Sequence, residues 1–250
     1  MTEQHDPSAY GSHVAADYDD LHADLDPTPA AETLAEMAHG GAVLELGIGT
    51  GRLALPLLDR GLEVAGIEAS PEMAAVLARK PRGDRIPVTL GDFATADAGR
   101  RDFSLVALVF NTLYALPSQD AQVALFRNAA RHLRDGGLFV VEAWLPDLGA
   151  FRDGRAVRPL DVGDGTVLLE VAEIFPAQQR MRTNKVLLRG DNGVRVWPAH
   201  HRYAWPAELD LMARLAGMSL RHRWADWRRT PFLDASRGHV SVWQKAPDHG

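Results

Sequence analysis

The chain has 250 residues, of which 46% are hydrophobic, and it carries a formal net charge of −6 without a single cysteine. This length and apolar content suffice for one sizeable core, and the absence of cysteine excludes disulfides, thiolate nucleophiles and cysteine metal sites. Nucleic acids and anionic membranes bind basic surfaces, so the acidic balance favours a small-molecule partner over either, and no pattern predicts a metal site.

The first 29 residues are acidic and have no basic segment followed by an apolar stretch, so no secretory signal is expected. Nowhere does the chain have a run of about 18 apolar residues, the length of a membrane-spanning helix. We therefore expect a cytoplasmic protein. Residues 12–25 predict a helix with Ser12 as its N-cap, and we expect residues 1–29 to form a lid.

Strands and helices alternate between residues 30 and 146. The predicted strands are 42–47, 62–68, 85–90, 103–110 and 138–145. The predicted helices are 30–38, the segment ending at Arg60, 70–80 with Ser70 as N-cap, and 118–137 closed by glycine. Such alternation specifies a doubly wound, mainly parallel sheet with helices on both faces, to which the end of the chain adds strands to make seven.

The pattern changes after Pro146. Strands at 166–175, 180–190 and 194–205 with a turn at 190–193 predict an antiparallel meander, within 147–205, over the edge of the sheet. A helix at 207–216 and closing strands at 218–227 and 239–245 follow within 206–250. The Arg- and Trp-rich segment 221–229 suits either a nucleic-acid surface or an edge strand protected by charge, and we favour the edge strand.

The glycine run VLELGIGTGR ends the first strand, where ligands bind in doubly wound sheets. A dinucleotide fingerprint has a third glycine where this chain has Arg52, and the pattern here is E-x-G-x-G-x-G, beginning at Glu45. S-adenosylmethionine has no phosphate but carries a sulfonium, an ammonium and a carboxylate. Glu45 suits its cationic part, and Arg52 either pairs with its carboxylate or is a solvated helix residue.

Acidic residues end the next two strands. Glu68 can accept hydrogen bonds from both ribose hydroxyls, and Asp92 can accept one from the adenine amino group, with Phe93 beside the ring. Glycines alone often make only a tight turn. Glu45, Gly47, Gly49, Glu68 and Asp92 at successive strand ends are a far more specific signal.

These motifs resemble those of class I S-adenosylmethionine-dependent methyltransferases, and the resemblance runs from about residue 10 to the end. VFNTLYAL and HLRDGGLFVVEAW are similar to the fourth and fifth strands of small-molecule enzymes of antibiotic pathways, including amino-sugar N-methyltransferases. Ser104 departs from the acid found in many relatives, at the strand end far from the ligand. The cofactor residues that we predict are Tyr18, Glu45, Gly47, Ile48, Gly49, Arg52, Glu68, Ala69, Met73, Asp92, Phe93, Phe110 and Asn111.

Acceptor residues are sought near the ends of the fourth and fifth strands and in the lid and meander. Because neighbouring side chains on a strand point to opposite faces, only one of His200 and His201 can face the site, and we favour His200. Tyr114 and His200 are the candidate bases. Tyr10 and Tyr18 contact ligand or only pack, and Asn111 contacts ligand or only caps a turn. The predicted substrate-binding residues are Tyr10, Tyr114, Glu142, Trp144 and His200.

The predicted activity is direct methyl transfer to a nitrogen, oxygen or activated carbon of a small secondary metabolite, by a monomer or homodimer. A methyltransferase of RNA or protein is disfavoured by the net charge and by Asn-Thr-Leu-Tyr at residues 111–114, which lacks the Pro-Pro platform that holds a flipped base. An NAD-dependent oxidoreductase is disfavoured by Arg52. A non-catalytic binding protein on the same fold stays open.

Overall fold

The computed structural model describes residues 6–190 and 193–247, which form two β-sheets and seven helices. The helices are α1 (Ala9–Val14), α2 (Tyr18–Leu21), α3 (Thr28–Ala38), α4 (Ala54–Asp59), α5 (Pro71–Arg79), α6 (Gln119–His132) and α7 (Pro206–Leu215). The strands are β1 (Val43–Leu46), β2 (Val64–Glu68), β3 (Val88–Leu90), β4 (Phe103–Leu108), β5 (Leu133–Trp144), β6 (Arg155–Gly163), β7 (Thr166–Phe175), β8 (Arg180–Arg189), β9 (Gly193–Arg202), β10 (Met218–Trp224) and β11 (Gly238–Lys245).

The larger sheet has seven strands in the order β10-β11-β5-β4-β1-β2-β3. Strands β1 to β5 are parallel, and β11 runs antiparallel between β5 and β10. The predicted doubly wound, mainly parallel sheet is therefore confirmed. The chain builds β2 and β3 on one side of β1 and then β4 and β5 on the other, so the carboxyl ends of β1 and β4 flank the switch point, where ligands bind in this architecture.

Both faces of this sheet are covered. Every residue of β1 and β4 is buried, as the continuous apolar sequence of these strands predicts. Helix α5 begins as expected, because the Ser70 hydroxyl accepts a hydrogen bond from Met73 N at 3.2 Å, and Pro71 occupies the first turn. Two apolar clusters, one on each face, hold the strand ends in place.

The prediction that glycine closes α6 is wrong. The helix ends at His132, and Leu133 already pairs with Phe103 as the first residue of β5. Gly136, with φ 71°, and Gly137 lie inside β5, where the pairing with β4 shifts. A Cβ on Gly137 would lie 3.1 Å from the carbonyl oxygen of Phe103, so this glycine allows the two strands to approach each other closely.

The N-terminal segment is two short helices, not one, and Ser12 is not an N-cap. Ser12 lies inside α1 and its hydroxyl donates to Glu72 Oε2 at 2.8 Å. On α2, Asp19 accepts from the Thr50 hydroxyl at 2.6 Å and pairs with Lys80 at 2.6 Å. These contacts fix the segment over the loop that follows β1, the position expected of a lid.

The second sheet has four antiparallel strands, β6-β7-β8-β9, one more than the three expected. Two residues of the predicted turn at 190–193, 191 and 192, lie outside the described residues. On one face of this sheet the register places residues of β7, β8 and β9 side by side in three rows. The rows are Glu170, Lys185 and Trp197, then Ala172, Thr183 and Ala199, and then Ile174, Met181 and His201. This inner face packs toward the larger sheet, since Ala172, Ile174 and Thr183 are buried.

The C-terminal part agrees with the sequence analysis. Helix α7 and strands β10 and β11 form where predicted, and β10 is the edge strand of the larger sheet with charged residues exposed along it. Among the residues that the structure describes, no helix is both long and apolar enough to cross a membrane.

Candidate cofactor and acceptor site

The glycine loop after β1 has a backbone that only glycine adopts without strain. Gly47, Gly49 and Gly51 have φ values of 67°, 57° and 82°. A Cβ on Gly47 would lie 2.8 Å from the Thr112 methyl group, and one on Gly51 would lie 2.4 Å from Leu77 Cδ1. The nearest atom to a Cβ on Gly49 is 3.9 Å away, so at this position the backbone is open to a ligand.

Glu45 is the strongest indication of a ligand. Its side chain is 3% exposed, and Oε2 has no hydrogen-bond partner among residues 6–190 and 193–247. Burial raises the pKa of Glu45 to about 8, although the Arg52 guanidinium acts in the opposite direction. A buried carboxyl group with a free oxygen needs a donor. The ammonium group of S-adenosylmethionine supplies one, so these residues fit that cofactor.

Seven of the predicted cofactor residues surround one narrow cleft of about 30 Å³ at the switch point. They are Tyr18, Glu45, Gly47, Ile48, Gly49, Arg52 and Phe110, and Thr50, Leu53, Val109 and Thr112 complete the lining. The Arg52 guanidinium lies 4.6 Å from the centre of the Phe110 ring. A space of this size holds little more than a water molecule. We therefore expect the lid to move before a cofactor enters.

Glu68 lies at the end of β2 and is almost fully buried. One carboxylate oxygen accepts from Gly49 N at 2.9 Å, and the other accepts from Ser70 N at 2.8 Å. Each carboxylate oxygen can accept a second hydrogen bond. Glu68 thus shapes the glycine loop and keeps acceptor capacity toward a ribose.

The other predicted cofactor residues do not all lie at the cleft. Asp92 uses one oxygen to accept from Ala94 N at 2.8 Å, and Phe93 is buried close to Gly47. Ala69 is half-buried just after β2. Met73 does not line the cleft, because it packs under the lid against Val14 and Ala15.

The end of β4 has an unusual backbone. Phe110 and Asn111 both have positive φ, 56° and 64°, a conformation that is rare for residues other than glycine. Phe110 N donates to Glu142 Oε2 at 2.8 Å, and the Asn111 side chain accepts from Trp144 N at 2.7 Å. Asn111 and Glu142 therefore tie the ends of β4 and β5 together, and this turn brings Phe110 to the cleft.

The prediction that Tyr114 is a catalytic base in the acceptor pocket is contradicted. Its ring is completely buried, and its hydroxyl lies 3.0 Å from the carbonyl oxygens of both Trp144 and Ala204. Burial raises the pKa of this phenol well above its usual value. A phenolate beside two carbonyl oxygens would be repelled by both, so Tyr114 holds strand ends together and takes no proton.

The preference for His200 over His201 is also wrong. Strand alternation holds, but the register places His200 beside Arg182 on the exposed face of the second sheet and His201 on the inner face. The His201 ring lies 6.1 Å from the Trp144 ring, and Nε2 is 3.3 Å from the Thr183 hydroxyl. Burial lowers the pKa of His201 to about 4, helped by His200 and Lys185. This imidazole is neutral at physiological pH.

Two residues that the sequence analysis did not propose complete this region, His22 and Lys185. The His22 ring lies between Tyr18 at 4.6 Å and Phe110 at 5.0 Å, and its Nε2 is buried without a partner in the described part of the chain. Burial lowers the pKa of His22 to about 4, with Lys185 and Arg52 adding to the effect. We call His22, Trp144, Lys185 and His201 the histidine cluster.

Two further features remain to be placed. Tyr10, expected to bind substrate, is 45% exposed on α1, but burial raises the pKa of its phenol, which acts on Tyr18 at the cleft. A larger cleft of about 300 Å³ opens beside α3 and β10, near the amino ends of β4 and β5, and is lined by Arg134, Arg221 and Arg229 among others. Ligands of this fold bind at the carboxyl ends of the strands, so size alone does not make this cleft the active site.

Comparison with known proteins agrees with this geometry. The family model described as "Methyltransferase domain" matches residues 43–137. The CcbJ methyltransferase from Streptomyces caelestis is 39% identical, with a TM-score of 0.90 over 96% of this chain and 99% of that one. The cypemycin N-terminal methyltransferase of a Streptomyces species is 28% identical over 96% of this chain and 99% of its own.

A third relative is the dTDP-4-amino-2,3,4,6-tetradeoxy-D-glucose N,N-dimethyltransferase of Saccharopolyspora spinosa, which is 30% identical over 59% of this chain and 60% of its own length. Fold, glycine loop and full-length similarity thus agree. The chain belongs to the S-adenosylmethionine-dependent methyltransferases and is an enzyme of that class.

Proposed function

We propose that the protein methylates an amine nitrogen of a small natural-product molecule, with the cofactor held in the cleft beside Glu45 and the acceptor held at the histidine cluster. The observation that carries the proposal is the placement of two imidazoles whose pKa burial lowers, His22 with its ring 5.0 Å from Phe110 and His201 with its ring 6.1 Å from Trp144. One of the relatives described above is named as an N,N-dimethyltransferase and another as an N-terminal methyltransferase, which supports an amine nitrogen as the attacking atom.

Cofactor binding draws on residues of the cleft. S-adenosylmethionine supplies a methyl group already activated by its sulfonium. Glu45 accepts from the ammonium, Arg52 pairs with the carboxylate, and Glu68 accepts from the ribose hydroxyls. The exposed backbone at Gly49 allows close approach.

Acceptor binding follows from the electrostatics of the histidine cluster. An amine attacks only through an unprotonated lone pair. The burial that keeps both imidazoles neutral also disfavours an ammonium ion, so the site selects the uncharged amine. The imidazole nitrogens accept N–H hydrogen bonds and orient the lone pair along the methyl–sulfur bond. The nitrogen forms a bond to the methyl carbon as the methyl–sulfur bond breaks, with the bonding electrons left on sulfur. The resulting ammonium gives its proton to water when the product leaves.

A small acceptor suits this geometry better than a macromolecule. The lid and the second sheet cover the strand ends, and Arg195 of β9 pairs with Asp17 of the lid at 2.9 Å. A closed site excludes water from the reacting groups but leaves no path for a folded RNA or protein surface. We propose a cytoplasmic enzyme without a nucleic-acid partner.

The test is transfer of an isotope-labelled methyl group from S-adenosylmethionine to a panel of small molecules, each tested as the amine and as the matched alcohol. We expect label in amines only, with S-adenosylhomocysteine as the second product. His22→Ala should lower this transfer and leave S-adenosylhomocysteine affinity unchanged. Transfer to alcohols alone, or to RNA in preference to every amine, would overturn the proposal.

A further inference from the structure

The inner face of the second sheet carries an uneven distribution of charge. Glu170 and Lys185 are directly opposite each other on β7 and β8, and Arg158 is opposite Glu170 on β6. Arg158 forms the ion pair, with its Nε 2.9 Å and its second guanidinium nitrogen 2.7 Å from Glu170 Oε1. Another cation on this face, Arg195, pairs with Asp17 of the lid.

Neither of these ion pairs involves Lys185. Lys185 is half-buried. Among residues 6–190 and 193–247 it forms no hydrogen bond and no ion pair. A lysine ammonium is strongly hydrated and has three donors to satisfy, so holding it half-buried without a partner is unfavourable. An enzyme keeps such a group where a ligand supplies the missing acceptor.

The position of Lys185 shows where that ligand lies. Its charge acts on two rings from different parts of the fold, His22 on the lid and His201 on β9, after the larger effect of burial on each. The register gives the geometry, since Lys185 lies on the same face of the second sheet as His201 and directly beside Trp197, which packs against Val14 of the lid. It therefore lies on the side of the sheet to which the proposed function assigns the amine.

We infer that Lys185 is a specificity residue, and that the acceptor carries a carboxylate or another anionic group that binds its ammonium while the amine lies at His22 and His201. The inference rests on the proposed function, because it assumes that the histidine cluster holds the acceptor. The acceptor is then zwitterionic in solution and binds as an anion with a neutral amine.

The experiment compares benzoate with benzamide, which match in size and differ in charge, by titration calorimetry on the protein saturated with S-adenosylhomocysteine. We expect benzoate to bind and benzamide to bind much more weakly. Lys185→Met keeps the length of the side chain and removes its charge. It should weaken benzoate binding about tenfold, by loss of one charge-assisted hydrogen bond, without changing benzamide binding. Arg189→Met, which removes an exposed cation from the same strand, is the matched control.

Absence of saturable benzoate binding, or equal benzoate binding by wild type and Lys185→Met, would overturn the inference. The titrations are repeated without S-adenosylhomocysteine. If that ligand does not bind at all, the proposed cofactor site fails, while the effect of Lys185→Met on benzoate is still measured. If it binds and benzoate behaves identically in both proteins, only the role of Lys185 fails.

Discussion

The cofactor cleft and the histidine cluster lie next to each other but are built in different ways. Most of the cleft comes from short segments at the ends of β1 and β4, and seven residues expected from sequence line it. The histidine cluster joins His22, Trp144, Lys185 and His201, which are up to 179 positions apart (201 − 22) and belong to the lid and both sheets. A ligand site of the first kind is encoded locally, whereas one of the second kind depends on how remote elements pack.

The largest effect should come from separating the two regions. Removing residues 1–22 deletes the Asp19–Lys80 and Asp17–Arg195 ion pairs, the Asp19–Thr50 hydrogen bond and the His22 ring. We expect methyl transfer to fall below detection, because the acceptor side loses its cover and water enters. Circular dichroism and melting of the truncated protein check that the core stays folded. A truncated enzyme that keeps full activity would show that the second sheet alone encloses the acceptor.

The next effect distinguishes two neighbouring histidines. His201→Ala should lower turnover about 100-fold, the scale expected when a reacting group loses its alignment, and should leave S-adenosylhomocysteine affinity unchanged. His200→Ala is the matched control on the exposed face of the same strand and should behave as wild type. Steady-state kinetics on an acceptor found by the labelled-methyl screen measures both. Greater damage from His200→Ala would reverse the assignment.

How well sequence alone predicts a region depends on whether that region is encoded locally. The doubly wound sheet and the tight turn at Gly47 and Gly49 could be predicted because strand periodicity and glycine geometry are local properties. Alternation correctly required that only one of His200 and His201 face inward, but which one depends on the side from which β9 packs against the core. Tyr114 was misjudged because its two carbonyl partners, on Trp144 and Ala204, come from other elements. His22 has no local signal at all.

A smaller effect tests the cleft alone. Glu68→Gln keeps the size of the side chain but removes the negative charge of the carboxylate, which accepts hydrogen bonds from Gly49 N and Ser70 N. The same carboxylate is the proposed acceptor for the ribose hydroxyls. We expect S-adenosylhomocysteine affinity to fall about tenfold, the effect of losing one hydrogen bond to a charged group, with a stable fold. Calorimetry measures the affinity, and Asp59→Asn on the surface of α4 is the control. An unchanged dissociation constant would place the ribose elsewhere.

Ligand binding should change the protonation of Glu45. Its pKa of about 8 in the ligand-free protein means that the carboxyl is largely protonated at pH 7, and an ammonium placed beside it favours ionisation. Binding of S-adenosylhomocysteine should therefore release about one proton, visible as an enthalpy that varies with the ionisation enthalpy of the buffer. Glu45→Gln should abolish this dependence. An enthalpy independent of buffer in the wild type would contradict the raised pKa or the contact with the ammonium.

The Glu45 carboxyl also determines how the free energy of unfolding changes with pH. In the unfolded chain the Glu45 carboxyl ionises near pH 4.5, whereas in the fold it holds its proton to about pH 8. Unfolding between these values releases a proton, so the free energy of unfolding of the ligand-free protein should decrease as pH rises from 4.5 to 8. Urea titrations across that range measure the slope. Glu45→Gln should reduce it, and a slope unchanged by this substitution would locate the titrating group elsewhere.

The smallest effect is expected at Tyr114, which borders both regions. Its hydroxyl links the carbonyl oxygen of Trp144, at the end of β5, to that of Ala204, just after β9. Tyr114→Phe keeps the buried ring and its edge contact with Trp144 at 4.7 Å and removes only that link. The free energy of unfolding should fall by about 1 kcal/mol, the usual net value of one hydrogen bond, while turnover changes little. Because the two carbonyl oxygens lose the hydroxyl hydrogen that they share, the histidine cluster should shift slightly against the cleft, raising KM for the acceptor more than it lowers kcat. A catalytic base would give the opposite pattern, a large loss of kcat with unchanged stability, and that result would return Tyr114 to the chemistry.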